Sequence, residues 1–315
     1  MKTVGIDLGG TNIAVGVVTE AGEIVSQAQR RTNPERPYQE VIRDMADATL
    51  EAIKKAGLPP GEIGSIGVGV PGLFDNDRGN VVFCTNLGWN DVPLRKEMQK
   101  YIDRPLYGDN DANVAGFAEA ICGVSQGVDT SIFLTLGTGL GSGIIIGGKI
   151  WQGRHRVAGE LGHTMYQYGG VPCSCGARGC LERYTSGTAL IRIGQEHAAR
   201  NPDSILHQQP ADRFTAKTVI DAARKKDEAA LSALDEYTTH LANAIITMIS
   251  FLDPDLFVLG GGVSRAGDIL LKPVREKVRK GKFFKTMPTG DIVTAKLGNE
   301  AGIIGAAMLY KMCQP

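Results

Sequence analysis

The sequence predicts an α/β protein of two similar lobes with a cleft between them. Three observations carry that expectation. Short apolar runs alternate with segments of helical periodicity along the whole chain. One unit, an apolar strand, a glycine turn containing Thr and a second apolar strand, occurs at residues 3–18 and again at 131–146. Glycine numbers 41 of 315 residues, about 13% against a usual value of roughly 7%, a surplus that suits tight turns and close approaches of backbone to a ligand. Two copies of one unit suggest two lobes, and clefts between domains are a favoured place for small-molecule sites. No solenoid-type repeat and no low-complexity linker interrupts the pattern.

The elements follow in order. Residues 3–8 and 13–18 are apolar strands, and Gly9-Gly10-Thr11-Asn12 between them reads as a hairpin turn. Glu23 to Arg31 alternates well enough for a third strand. Val41, Met45, Ala48, Leu50, Ala52 and Ile53 recur at helical spacing over 38–56, where Gly57 closes the helix and Pro59-Pro60 prevents its continuation. Residues 63–70 suit a buried strand, 92–102 a short helix and 105–107 a strand. Ala112 to Cys122 is a helix and Ser131 to Leu136 a strand, followed by a second glycine-rich turn from Gly137 to Gly143. Gly147-Gly148, between Ile144–Ile146 and Ile150-Trp151, signals a hairpin. Residues 157–187 look irregular and carry a cysteine cluster. Helices are expected at 188–200, 215–226, 228–252, 268–279 and 300–312, with a buried strand from Asp255 to Leu259.

Composition excludes several classes. Apolar residues at 43% and charged residues at 22% match globular averages, so a disordered chain is excluded. Basic and acidic residues number 34 each, and that balance argues against a globally basic nucleic-acid binder. No apolar run approaches the roughly 18 residues of a spanning helix, and Asp7 interrupts the N-terminus before any signal-type apolar region. A soluble, cytoplasmic protein with no membrane partner is expected. In such a reducing compartment three cysteines within eight residues read as metal before disulfide.

Successive N–H groups in the Gly5-Ile6-Asp7-Leu8-Gly9-Gly10-Thr11 turn can form an anion-binding nest, with Thr11 adding a hydroxyl donor and Asp7 a carboxylate for hydrated Mg²⁺. An ordinary hairpin has the same glycines. Leu136-Gly137-Thr138-Gly139-Leu140-Gly141 is a second such turn, and the pair makes a two-sided phosphate clamp. Gly143 to Ile150 approaches a Walker A pattern but lacks the Ser or Thr after Lys149. Gly67 to Gly72 matches G-x-G-x-x-G, yet Pro71 and the turn-rich stretch behind it leave no helix start.

Asp109-Asn110-Asp111-Ala112-Asn113 lies where a strand meets a helix. Asp111 or Asn110 suits an N-cap there; alternatively Asp111 is a general base for a substrate hydroxyl and Asn110 bonds a neighbouring one. His163, Cys173, Cys175 and Cys180 supply three thiolates and an imidazole, the set of a closed tetrahedral Zn²⁺ site, with Gly176 and Gly179 letting the chain wrap the ion. Four protein ligands leave no open position, so this zinc is structural. Cys84, Cys122 and Cys313 are isolated and read as packing. Glu160 and Glu182 flank the cysteine motif, either as solvated acids or as acceptors for vicinal hydroxyls. Gly261-Gly262 follows a buried strand and allows either a tight strand-to-helix turn or close approach of an adenine or ribose.

These strings, G-I-D-L-G-G-T, D-N-D-A-N, G-E-L-G-H, C-S-C-G-A-R-G-C-L-E and L-G-G-G-V in that order, resemble the ROK family of sugar kinases, in particular its bacterial glucokinases. The resemblance runs from Gly5 to the C-terminal helix. It implies the two-lobed actin/hexokinase-like (ribonuclease H-like) fold, with a small lobe of residues 1–111 plus 300–315 and a large lobe of 112–299 that carries the zinc segment 157–187. It implies ATP- and Mg²⁺-dependent transfer to the 6-hydroxyl of a hexose, glucose first, with an N-acetylhexosamine or fructose as the alternative. By position Asp111 is the base, and Asn110, Glu160, His163 and Glu182 bind the sugar, with the backbone at Gly72 closing the pocket. Asp7, Gly9, Gly10, Thr11, Asn12, Gly137, Thr138 and Gly139 hold the ATP phosphates, and Gly261 and Gly262 border the adenosine. A homodimer or homotetramer is implied. Asn12 stands where many relatives carry Lys, a departure that removes one cation from the phosphate turn. Some ROK proteins are repressors with an N-terminal helix-turn-helix; a phosphate motif that begins at Gly5 leaves none expected here.

Overall fold

The computed structural model describes residues 1–313, and the last two residues of the expected 300–315 segment lie outside the described residues, as does the side chain of Cys313. By its internal contacts the chain forms two compact units. One comprises Met1–Phe133, Gly143–Gly159 and the residues from Lys296 on; the other comprises Leu134–Ser142 and Glu160–Ala295.

The N-terminal strand β1 (Lys2–Leu8) turns into β2 (Asn12–Thr19), and β3 (Ile24–Arg31) pairs antiparallel with β2. Helix α1 (Tyr38–Lys55) buries Val41, Ile42, Met45, Ala48, Ala52 and Ile53 in one cluster with Val4, Ile6 and Val15 of the strands. Its helical spacing is what places those six side chains on one face. Strand β4 (Ile63–Val70) lies parallel to β1. A separate antiparallel sheet follows, β5 (Leu73–Asp75), β6 (Asn80–Cys84) and β7 (Trp89–Val92), then helix α2 (Leu94–Gln99). Strand β8 (Leu106–Asn110) pairs parallel with β4 and runs straight into α3 (Asp111–Cys122). The first sheet therefore has the order β3-β2-β1-β4-β8.

The second half of the chain contains β9 (Thr130–Leu136), β10 (Leu140–Ile146), β11 (Lys149–Ile150), α4 (Glu182–Thr185), α5 (Gly187–Ala199), α6 (Ala216–Arg224), α7 (Glu228–Leu252), β12 (Leu256–Gly260), α8 (Gly261–Ser264), α9 (Asp268–Gly281), β13 (Asp291–Thr294) and α10 (Ala301–Met308). Its five-stranded sheet has the order β11-β10-β9-β12-β13. Both sheets run third strand, second, first, then the two later strands, so the strand–turn–strand echo in the sequence is one topology built twice. Among the described residues no helix is long and apolar enough to cross a membrane.

Four features depart from the sequence expectation. The β5-β6-β7 sheet and β13 were not expected, because strands of three to five residues with mixed burial are too short for a period test. The irregular segment contains the short helix α4. The last helix ends at Met308 and tightens into a 3₁₀ turn over Leu309–Cys313. The units divide at 133/134, 142/143, 159/160 and 295/296, not at 111/112 and 299/300. Helix α3 is held in the first unit by α10, which approaches so closely that a Cβ on Gly305 would lie 1.9 Å from Val114 O.

Helix α10 sits on the first sheet by the same device. A Cβ on Gly5 of β1 would lie 1.8 Å from Ile303 O, and one on Gly67 of β4 would lie 1.7 Å from Ala306 O. Backbone lies on the far side of both gaps, so neither can be relieved by a rotamer change. Gly67→Ala is therefore expected to destabilise the protein by about 3 kcal/mol or more, at the upper end for overpacking. Urea unfolding measures it, and an unchanged midpoint would disprove this seating of the helix.

Candidate functional site

The residues singled out by sequence fall into two groups, one in each unit. In the first, Asp7 is the penultimate residue of β1 and faces α10. A Cβ on Gly302 would lie 2.6 Å from Asp7 Oδ2, so that glycine leaves room for the carboxyl. Burial raises the acid of Asp7 above its ordinary range, a shift that a bound cation would reverse. The following turn is fixed from both sides. Gly9 N–H donates to Asn12 O at 3.0 Å, and Thr32 donates through Oγ1 to Gly9 O at 2.6 Å and through N–H to Thr11 O at 3.0 Å. Thr11 is exposed, and Gly10 and Asn12 are half-buried.

The β8–α3 junction shows which side chain caps α3. Asn110 is the N-cap: its Oδ1 accepts from Ala112 N at 2.9 Å and from Asn113 N at 3.3 Å. Its Nδ2 donates to Gly72 O at 3.4 Å, which brings Gly72 and Asn110 together. Asp111 is the first helical residue, and its Oδ1 accepts from Ala112 N at 2.8 Å. The dipole of a first helical turn stabilises negative charge at that position.

In the second unit Gly137 N–H donates to Gly139 O at 3.1 Å and closes the glycine turn. The start of α5 locks that turn, with Gly187 N–H on Gly137 O at 2.7 Å and Thr188 Oγ1 on Thr138 O at 2.7 Å. Gly137, Thr138 and Gly262 line a cavity of about 510 Å³, within the range of small-molecule pockets. Ile191, Ala216, Ile220 and Val263 form apolar walls, and Thr215, Lys217, Arg224 and Arg265 bring polar groups. Gly261 does not line it. With φ of +79° and no room for a Cβ, which would lie 2.6 Å from Leu136 O, it makes the sharp turn out of β12. Gly139 also stands apart and faces Glu182, whose Oε2 would lie 2.8 Å from a Cβ there.

Ligand atoms of His163, Cys173, Cys175 and Cys180 all lie within 4.8 Å of one another. Cys175 Sγ and Cys180 Sγ are 3.6 Å apart, and Cys173 Sγ is 3.8 Å from His163 Nδ1. The edge of a tetrahedron with zinc–sulfur bonds of about 2.3 Å is about 3.8 Å, so the four atoms fit zinc. Burial, and then Glu182, push the Cys173 thiol up to about 12. A coordinated cation inverts that preference and takes the thiolate. Glu182 Oε1 accepts from Cys173 Sγ at 2.9 Å, which joins Glu182 to the cluster. Glu160 is exposed and opens the 3₁₀ turn Leu161–His163, with His163 N–H on Glu160 O at 3.1 Å. Leu161 N–H on Ser142 Oγ at 3.1 Å pins that turn to β10. Cys84 is buried and Cys122 half-buried, as packing residues.

Two sets of residues escaped the sequence reading. Thr188, Lys217 and Arg265 reach the cavity only through the packing of α5, α6 and the segment after α8, and no local motif marks them. Asp109 stands inside the D-N-D string but received no role, and Gln152 belongs to no pattern. Asp109 is 5% exposed, and burial raises its carboxyl above the ordinary range while hydrogen bonds from Asn113, Asn110 and Gln152 offset part of that rise.

The model of the ROK family matches residues 3–312. A glucokinase of Halalkalibacterium halodurans is 37% identical over 98% of this chain and 94% of its own. A xylose repressor of Caldicellulosiruptor bescii is 30% identical over 96% of this chain and 76% of its own length. Among solved structures, a ROK family glucokinase from Streptomyces griseus in complex with glucose and AMPPNP superposes with a TM-score of 0.83 at 36% identity, covering 98% of this chain and 99% of that one.

Proposed function

The chain belongs to the ROK family, and on that premise we propose that it transfers the γ-phosphoryl group of ATP to the 6-hydroxyl of a hexose, glucose first. Its class is the hexokinase-type sugar phosphotransferase. The observation that carries the reading is the β8–α3 junction. Asn110 caps the helix, so Asp111 is not needed as the cap and stands in the first turn as a carboxylate for proton transfer.

In this reading Asp111 takes the proton of the 6-hydroxyl as that oxygen bonds to the γ-phosphorus, and ADP leaves with the electrons of the broken bridge. Phosphoryl transfer asks for position and charge stabilisation more than covalent help. Asn110, Glu160, His163 and Glu182 each supply a group for the sugar hydroxyls, with the Gly72 backbone beside Asn110. The turn from Gly9 to Asn12 and the turn from Gly137 to Gly139 hold the phosphates through N–H groups other than those of Gly9 and Gly137, which close the turns themselves. The adenosine takes the cavity beside Gly262, between the apolar side chains of Ile191, Ile220 and Val263. Mg²⁺, held through Asp7, supplies charge neutralisation on the phosphates when bound. His163 would hold zinc with the three thiolates through Nδ1, the ring nitrogen 3.8 Å from Cys173 Sγ, which would leave Nε2 for a hydroxyl.

ADP release from Mg-ATP, measured against a panel of hexoses with a no-sugar blank, tests the proposal. Release well above the blank with glucose is expected. Release with an N-acetylhexosamine or fructose instead overturns the substrate. Sugar binding without any release favours a sugar-responsive regulator, the role that the xylose repressor's name describes.

A further inference from the structure

The carboxylate of Asp109 is placed in a closed ring of hydrogen bonds that the reaction scheme does not use. Its Oδ1 accepts from Asn110 N at 2.7 Å and from Asn113 Nδ2 at 2.9 Å, and its Oδ2 accepts from Gln152 Nε2 at 2.5 Å. One of these donors, Asn110, directly precedes Asp111, and another, Asn113, lies two residues after it in the first turn of α3. The third comes from the loop after β11, which Ala158 N–H closes on Gln152 O at 3.0 Å. Arg156 anchors the same loop, with 2.7 Å bonds to Asp75 Oδ1 and Asp77 Oδ2. That acidic hairpin is in turn held to β8 by Asn76, which exchanges bonds with Gly108 O at 2.7 Å and Gly108 N at 3.0 Å. The ring thus begins and ends on β8, one residue before Asp109.

Burying a carboxylate is costly, and it persists only where donors satisfy it. We propose that Asp109 and Gln152 are positioning residues for the base: the Asp109 carboxylate, anchored by Gln152, sets the angle at which Asp111 leaves the β8–α3 junction. The inference rests on the reading of Asp111 as base. It concerns geometry, so what matters is the pattern of donors and acceptors around Asp109. A displacement of about 1 Å in a reacting group can cost about 100-fold in rate.

The test compares Gln152→Met, which keeps the length and removes the donor, with Asp109→Asn. The Asn oxygen retains two donors, and its amide can donate to the Gln152 carbonyl after an amide flip. With glucose and Mg-ATP, Gln152→Met is expected to lower kcat about 10- to 100-fold. Its Kd for glucose and for AMPPNP, by calorimetry, should stay within about twofold, because an effect confined to the transition state spares binding. Asp109→Asn should stay within about fivefold of wild type, since the bonding pattern is conserved. Circular dichroism confirms that both variants are folded at the assay temperature. A kcat for Gln152→Met close to wild type, a parallel loss of kcat and binding, or an Asp109→Asn variant as slow as Gln152→Met overturns the inference. Asp111→Asn run alongside separates the two levels. Normal turnover in that variant removes the base and this inference with it. An inactive Asp111→Asn beside a normal Gln152→Met removes the positioning role alone.

Discussion

Asp111→Asn is expected to lower kcat by about three orders of magnitude, inside the range of roughly 10²–10⁴ that a positioned general base contributes. Glucose and nucleotide affinities should move little. The substitution removes the proton acceptor and keeps the shape of the side chain and an oxygen for the Ala112 N–H. The helix cap is untouched, because Asn110 supplies it. Stability should therefore stay within about 1 kcal/mol of wild type, the worth of a negative charge in the first turn of a helix. Steady-state ADP release gives kcat, calorimetry gives glucose affinity, and thermal unfolding gives the control. Loss of rate with binding and folding intact is the signature of an interaction made only in the transition state. Turnover close to wild type would remove Asp111 from the role of base.

Loss of the metal should have the second large effect. Cys175→Ser, or exhaustive chelation of the wild-type protein, is expected to loosen residues 157–187 and to weaken glucose binding by about 100-fold or more, the upper end for a lost supporting shell. The physical reason lies in the stretch that carries the cysteines. It has isolated bridges at Met165–Cys180 and Pro172–Arg178, and scattered loop bonds such as Tyr166 N–H on Gly179 O at 2.8 Å. Most of its side chains from Pro172 to Arg178 are exposed. A stretch so exposed would depend on a bound ion for its order. Cys175 is itself exposed, so its replacement should act through the metal and not through the core. Zinc content by atomic emission, hydrogen exchange over 157–187 and glucose calorimetry read the three parts of this expectation. Unchanged glucose affinity in metal-free protein would refute it.

The legible parts of the molecule were those with strong local signals. The β1–β2 and β9–β10 turns show as glycines between apolar runs, and the candidate zinc ligands show as a C-x-C pair framed by glycines with a Cys and a His at fitting distance. The less legible parts were short or two-sided. Val81, Phe83 and Trp89 belong to strands whose partners flip between buried and exposed within three to five residues, so no period could mark them. The acids of the D-N-D string were visible, but sequence alone left Asn110 and Asp111 as interchangeable caps. Only the 2.9 Å and 3.3 Å bonds to Asn110 Oδ1 separate them. Gln152 could not have been found, because its partner Asp109 is 43 residues away and no motif links the two.

By itself the sequence determined the α/β class, the doubled strand–turn–strand unit, the identity of the four candidate zinc ligands and the family. Each rests on spacing within a few residues, or on strings in a fixed order, where local chemistry leaves few alternatives. The tertiary structure alone decided which side chain caps α3, how α10 seats on Gly5 and Gly67, which residues of α5 and α6 wall the 510 Å³ cavity, and that Asp109 is tied to Gln152. Those features are contacts between residues distant in the chain. They are fixed by packing and by the need to satisfy buried polar groups, and neither leaves a periodic trace in the sequence.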